Sequence, residues 1–253
     1  MKISIITVCY DSAATIRDTF GSVSSQTYHN IEYIVVDGGS ADSTLEIAAK
    51  YSSIISRLIS EPDNGLYDAM NKGIQAATGD VIGILNSDDL YESNTVISDV
   101  AASFAASPDS DIVFGDVVFV NQDKLDVITR HYRAGHFKAW KLRFGWMPPH
   151  PATFIKKSAY EKVGLYSLEY KISADYEMFV RMLLVSGLKL TRLDKVLVRM
   201  RSGGVSTSGF SSTIRLNKEI VKACRRNGVY TNVLMLLTKV PFKLFELVRK
   251  PAA

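Results

Sequence analysis

The chain has 253 residues, 47% of them hydrophobic and 22% charged, with a formal net charge of +4. That length and balance fit one α/β domain with a sizeable core and exclude a disordered, collagen-like or disulfide-stapled chain. Cys9 and Cys224, the two cysteines, offer neither a disulfide framework nor a zinc spacing, which fits a reducing cytosol.

Taken from the start, Ile3–Cys9 reads as a strand, Ala13–Ser25 as a helix and Ile31–Val36 as a second strand. Ser43–Tyr51 reads as a helix, with Ser43 and Glu46 at capping-box spacing. Arg57–Ser60 is a candidate third strand, and DNGLYDAMNKGIQAATG a turn followed by an amphipathic helix ending near Gly79. A Val81–Leu85 strand, a Thr95–Ala106 helix and an Ile112–Val120 strand follow. Such alternation implies βαβ units and a mainly parallel sheet, with ligands beyond the carboxyl ends of the strands. From Asp123 to about Phe154 the pattern is irregular; a helix at Asp175–Val185, a strand at Leu188–Met200 and two helices near 211–227 and 231–249 complete the chain.

The N-terminal MKISIITVCYDSA has no signal-peptide cleavage pattern, and no apolar run approaches the roughly 18 residues a membrane span needs. We therefore expect a cytoplasmic protein.

Polar residues gather at the strand ends: Cys9-Tyr10-Asp11, then DGGS from Asp37 to Ser40, then NSDD from Asn86 to Asp89. Two adjacent carboxylates closing an apolar strand are costly unless a cation or donor compensates. An oxygen-only pair suits Mg²⁺ or Mn²⁺, which would bridge it to a diphosphate. Helix capping is the alternative use of the same acids.

SIITVCYDSAATIRDTFGSVSSQTYHNIEYIVVDGGSADST, GDVIGILNSDDLY, EPDNGLYDAMNKGI and HPATFIKKSAYEKVGLYSLEYKISADYEMFVRM occur in order over residues 2–205. Together they resemble the family 2 glycosyltransferases. The resemblance implies a GT-A fold, Rossmann-like, with a nucleotide-sugar part (1–122), an acceptor-side part (123–205) and a helical extension (206–253). It implies that Thr7, Tyr10, Asp37, Asp63, Gly65, Asn86 and Asp88 hold the nucleotide sugar, with Asp37 facing the base, and that Asp89 ligates the metal. Many members read Asp-x-Asp-Asp where this chain has Asn86-Ser87-Asp88-Asp89. Within ISADYEMFVR the resemblance makes Asp175 the catalytic base, with Ala174 where a Glu is usual and Glu177 the weaker candidate.

The implied reaction is attack of an acceptor hydroxyl on the anomeric carbon of a nucleotide sugar, UDP favoured, with inversion. Arg199, Arg201 and the SGGVS loop are candidates to close on the diphosphate, and His150 to line the acceptor side. His29, His131 and His136 show no ligand spacing.

Charge is uneven: residues 215–253 carry nine Lys/Arg against Glu219 and Glu246, a local +7, leaving −3 for 1–214. Val233, Leu236, Leu237, Val240, Leu244 and Val248 share one helical stripe, with Lys239, Lys243 and Lys250 largely off it. This predicts contact with the inner leaflet of a membrane and, with the resemblance, a polyprenyl-diphosphate-linked glycan acceptor. Packing of the stripe on the catalytic domain or on a second copy of the chain is the alternative. No nucleic-acid motif is present. The rival functions are a sugar-phosphate nucleotidyltransferase, which CYDSAATIRD disfavours by lacking a Gly-rich loop, and a transferase-like scaffold.

Overall fold

A computed structural model describes residues 1–202 and 210–239. Its elements are β1 (Ile3–Cys9), α1 (Ile16–Ser24), β2 (Ile31–Asp37), α2 (Thr44–Ala49), β3 (Ile55–Ser60), α3 (Leu66–Ala76), β4 (Val81–Ile84), β5 (Leu90–Tyr91), α4 (Val96–Ala106), β6 (Ile112–Val120), β7 (Ile128–Tyr132), β8 (Thr153–Lys156), α5 (Lys157–Val163), α6 (Ala174–Phe179), β9 (Leu190–Arg201), α7 (Phe210–Arg226) and α8 (Val233–Leu237). The α6 helix runs on as one π-helical stretch, Val180–Val185.

Because side chains alternate along a strand, a strand buried on both faces is largely apolar, and any polar side chain in it needs a hydrogen-bond partner, as Ser4 and Thr7 of β1 find in Glu32 and Tyr33. β1 shows this: Ile6 and Val8 join the core beneath α3, whereas Ile3, Ile5 and Cys9 join the opposite core with Ile16 and Phe20 of α1. The sheet runs in the order β3-β2-β1-β4-β8-β6-β9-β5, with β7 paired to β6. Strands β1–β4, β6 and β9 run one way; β5, β7 and β8 oppose them. The mainly parallel α/β architecture is as expected, and it places the carboxyl ends of β1, β2, β3 and β4 along one edge.

The structure departs from expectation in places. β8 sits antiparallel between β4 and β6, pairing Gly83 with Phe154 and Val113 with Phe154. A Cβ on Gly83 would lie 2.5 Å from the Phe154 ring, so the small residue admits this crossing. Ser43 does not cap α2 through its side chain; Asp42 Oδ1 accepts the Thr44 amide at 2.9 Å instead. The irregular stretch holds β7 and β8, and the segment after it forms α5.

The tail is continuous with the rest. Ile220, Ala223 and Cys224 of α7, with Val229 and Leu236, belong to the core that contains Tyr176 and Phe179 of α6. Lys239, expected off the apolar stripe, is buried and donates to the Gly145 carbonyl at 3.3 Å. Val240, Leu244, Val248, Lys243 and Lys250, and residues 203–209 of the Gly/Ser loop, lie outside the described residues.

Candidate active site

At the end of β1 the chain turns sharply. Asp11 has φ of 45°, the one positive φ on a non-glycine residue among those described, a conformation favoured by Asp and Asn and common at functional sites. Its carboxylate accepts the Ala41 amide at 2.8 Å, fastening the β1 turn to the loop after β2. In that loop Asp37 is fully buried, and its oxygens accept the amides of Gly39 and Ser40 and the hydroxyls of Ser40 and Ser60. Burial would raise this carboxyl, but those hydrogen bonds outweigh it and hold the pKa below the ordinary value. Asp37 thus ties the ends of β2 and β3 together with its acceptor positions already used.

Gly38 brings two other expected residues together. A Cβ there would meet Asp63 Oδ2 at 2.5 Å and the Tyr10 ring at 3.4 Å. Tyr10 is 64% exposed, a free aromatic face beside the Asp63 carboxylate. Asp63 Oδ1 accepts the Gly65 amide at 2.7 Å, and Gly65 opens α3 at φ 106°, a left-handed angle that suits glycine. Thr7 departs from expectation: it is fully buried and shares a 2.9 Å hydrogen bond with the Tyr33 hydroxyl, so its side chain is withdrawn from any ligand.

The turn after β4 holds the acids. Asp89 is 1% exposed, and Asn86 Nδ2 donates to its Oδ2 at 3.0 Å. Burial first, then the Asp88 charge, raises the Asp89 carboxyl well above the usual range, with Asn86 and Arg201 opposing. Asn86 Oδ1 is buried without a hydrogen-bond partner. Ser87 ties this turn to β1 through Ser12 Oγ at 2.8 Å, and Thr15 and Thr19 donate to its carbonyl. Arg201, 8% exposed, donates to the Asp88 carbonyl at 2.7 Å and pairs with Asp18. Arg199 faces elsewhere: it grips Glu92 through Nε at 2.7 Å and Nη2 at 2.8 Å and gives Nη1 to the Leu125 carbonyl. All three of its nitrogens are committed, so it is not placed to close on a diphosphate.

The donor set fits a hard cation. Among the described residues no group of three or more His, Cys, Asp or Glu could hold a metal alone. Mg²⁺ and Mn²⁺, however, commonly take one or two protein oxygens and complete their shell with phosphates and water. A buried carboxylate lacking full compensation and an orphaned amide oxygen beside it are the oxygens such an ion would take.

Across the site, α6 presents Asp175. Its Oδ1 accepts the Tyr176 amide at 2.8 Å and lies 3.2 Å from the Tyr67 hydroxyl, whose single proton is shared between it and the Ile172 carbonyl at 2.7 Å. Burial raises the Asp175 carboxyl, with His150 and these donors opposing. His150 is lowered by burial, with Asp175 opposing, and so is neutral near pH 7. Its Nε2 lies 2.8 Å from the Tyr166 hydroxyl, and its ring packs edge-on against Tyr166 and Phe179. Glu177, the weaker base candidate, is buried and held by Arg181 Nε at 2.9 Å and by Asn227.

Helix α3 joins the two sides. It starts at Gly65, gives Tyr67 to Asp175, and Asn71 exchanges two 2.9 Å hydrogen bonds with the Tyr166 backbone. Sequence reasoning marked Asp11 only as a polar strand end and missed Tyr67, Asn71 and Tyr166. The signal available was their place inside the quoted motifs; their partners, up to 108 residues away, had no local signature.

Comparison with known proteins bears on the family and the fold. The Glycosyl transferase family 2 model matches residues 4–164. A PGL/p-HBAD biosynthesis glycosyltransferase of Mycobacterium bovis is 33% identical over 223 residues, spanning 87% of this chain and 82% of that protein. An uncharacterized glycosyltransferase of Mycobacterium tuberculosis is 32% identical over 185 residues, 72% of this chain and 69% of that one. Among solved structures, S. aureus TarS 1-349 in complex with UDP-GlcNAc is similar with a TM-score of 0.69 at 19% identity, over 88% of this chain and 66% of that chain. The mannosyltransferase PcManGT of Pyrobaculum calidifontis, in complex with GDP-Man and Mn²⁺, gives 0.63 at 19% identity, over 89% and 63%. These two show the fold alone, and this chain spans about two thirds of their length. The family model covers more than half of the chain and the mycobacterial relatives most of it, and the chain belongs to glycosyl transferase family 2.

Proposed function

We propose that this glycosyltransferase moves a sugar from a nucleotide-sugar donor, UDP-sugar favoured, to a hydroxyl of a glycan acceptor, with inversion at the anomeric carbon. The observation that carries the reading is Asp175: a carboxyl lifted by burial, beside a neutral His150, fixed by Tyr67 from the helix that begins on the donor side.

The chemistry follows from that placement. The acceptor oxygen bonds to the anomeric carbon, the bond from that carbon to the diphosphate oxygen breaks, and the acceptor proton passes to Asp175. A base with a raised pKa works nearer neutral pH, and such catalysis contributes about 10²–10⁴-fold. Tyr10 and Asp63 are suited to the nucleoside, and Arg201, fixed on the acid turn, to the charge near Asp88 and Asp89. Asp89 and the Asn86 carbonyl oxygen would hold Mn²⁺ or Mg²⁺, which supplies Lewis-acid stabilisation of the leaving diphosphate. The donors bound by TarS and PcManGT, and Mn²⁺ in the latter, support the donor class and the metal.

The acceptor we infer is a polyprenyl-diphosphate-linked glycan met at the inner leaflet, the protein being cytoplasmic and peripheral. Among the described residues no helix is long and apolar enough to cross a membrane. Support comes from the tail, where Tyr230, Val233, Leu234 and Leu237 are exposed and Val233 lines a surface hollow with Lys218, Lys222 and Arg225 of α7.

Thermal shift with UDP, GDP, dTDP and CMP, with and without Mn²⁺, on wild type and Asp89→Ala tests the reading. A nucleotide at 100 times its dissociation constant adds about 2.7 kcal/mol. Stabilisation by one nucleotide, requiring both metal and Asp89, is expected. No stabilisation by any of them would overturn it in favour of a transferase-like scaffold.

A further inference from the structure

Glu219 lies on α7, in the basic tail, yet it holds the loop that leads into the helix of Asp175. Its Oε2 accepts the amides of Ile172 and Ser173, each at 3.1 Å, and the Ser173 hydroxyl at 3.0 Å, while Oε1 accepts the Lys171 amide at 3.3 Å. Ser173 is the N-cap residue of α6 and does not cap the helix with its own side chain. It is fully buried, and Asp175 stands two residues further on. Three successive amides and a hydroxyl therefore converge on one carboxylate, and their orientation sets the first turn of α6.

The same short loop is held from the other side by Tyr67, whose hydroxyl reaches both the Ile172 carbonyl and Asp175 Oδ1. The loop is thus clamped between α3 and α7. Of these amides that of Ser173 is buried, and a buried amide left without an acceptor is costly, so removing the Glu219 carboxylate forces the loop to rearrange or to admit water. Either change moves the carboxyl that Tyr67, His150 and the Tyr176 amide surround.

We propose that Glu219 is a positioning residue for Asp175: from α7, outside the segment matched by the family model, its carboxylate holds residues 171–173 and so sets where the base stands. The proposal rests on the reading of Asp175 as base.

The test compares full-length Glu219→Ala and Glu219→Gln with Ile220→Val, a neighbouring core change that loosens α7 without touching the loop. Three readouts are taken: amide hydrogen exchange at residues 171–173, the Asp175 carboxyl titration by ¹³C NMR, and kcat against KM for acceptor and donor. In Glu219→Ala, exchange at 171–173 should rise at least tenfold and the Asp175 midpoint should move down toward the ordinary carboxylate value. Its kcat should fall 10–100-fold at unchanged donor KM. Glu219→Gln, which keeps one acceptor oxygen at the same reach, should fall between Glu219→Ala and wild type. Ile220→Val should match wild type in all three at a comparable loss of Tm. The proposal is overturned if Glu219→Ala leaves exchange and the Asp175 titration as in Ile220→Val. If those two move as expected and kcat does not, Glu219 still positions Asp175, and the reading of Asp175 as base fails instead.

Discussion

Asn86 donates its amide hydrogen to the Asp89 carboxylate at 3.0 Å and in doing so leaves its own carbonyl oxygen buried without a partner. The pair is a half-satisfied network, costly alone and completed by one cation. Asn86→Asp, which restores the residue many relatives carry, removes the donor and adds a like charge. It should lower Tm without divalent metal, by about 2–4 °C for each kcal/mol lost, and Mn²⁺ should recover most of the difference. Scanning calorimetry with and without Mn²⁺ checks this; equal Tm values in both conditions would count against a metal at this turn.

Asp89 itself gives a pH signature. An acid whose folded pKa is raised contributes stability that is present below its unfolded pKa and lost as pH rises through the folded value. In metal-free protein Asp89→Asn should therefore be more stable than wild type at pH 8, with the gain shrinking as pH falls toward 5. A series of Tm measurements across that range suffices, and a gain that grows on acidification contradicts the assignment.

Asp175→Asn should lower kcat by about 10²–10⁴-fold, the contribution of a general base, while donor binding persists. Because burial raises this carboxyl, the acid limb of the wild-type rate profile should lie above the ordinary carboxylate range. Steady-state rates from pH 4.5 to 8 would locate it. A profile with no acid limb, or retained turnover in the variant, would assign the proton to another group.

Two arginines two residues apart should behave differently. Arg201→Ala removes the contact to the Asp88 carbonyl and the Asp18 pair, and should weaken nucleotide binding at least tenfold. Arg199→Ala breaks the pair with Glu92, whose side chains are each 26% exposed, and should cost stability with donor KM unchanged. Calorimetric titration with the nucleotide distinguishes the two.

The tail should associate with vesicles containing anionic lipid and dissociate as salt rises, since each Lys or Arg near such a surface adds about 1 kcal/mol. Lys218→Glu together with Arg225→Glu should abolish co-sedimentation. Binding to neutral vesicles of equal strength would point to apolar insertion alone.

What could be read in the sequence follows the range of the forces involved. The Ile112–Val120 strand was legible to the residue, because a run buried on both faces is largely apolar and Asp116 is its one charged residue. Asn86, Asp88 and Asp89 stood out because charge at the end of a core strand needs a reason. β8, four residues long, was not legible, since its place between β4 and β6 depends on partners some 40 and 70 residues away. Likewise nothing local distinguished Arg199 from Arg201, or showed that Thr7 turns to Tyr33. Of the expected stripe only Leu236 turns inward among the described residues, Val233 and Leu237 being exposed, and Lys239 goes inward to a backbone carbonyl at Gly145 that no periodicity reveals.

Helix α3, gripping both Asp175 and the Tyr166 backbone, also bears on how freely the halves of such enzymes can be exchanged. A chimera taking residues 1–122 from this chain imports Tyr67 and Asn71, and these must find a carboxylate and a correctly placed main chain in the recipient. Donor preference would then travel between relatives only where those few contacts are reproduced, whatever the overall identity of the parents. Swaps designed around that interface should give active hybrids from sequences as distant as one third identical, and swaps that ignore it should fail between near neighbours.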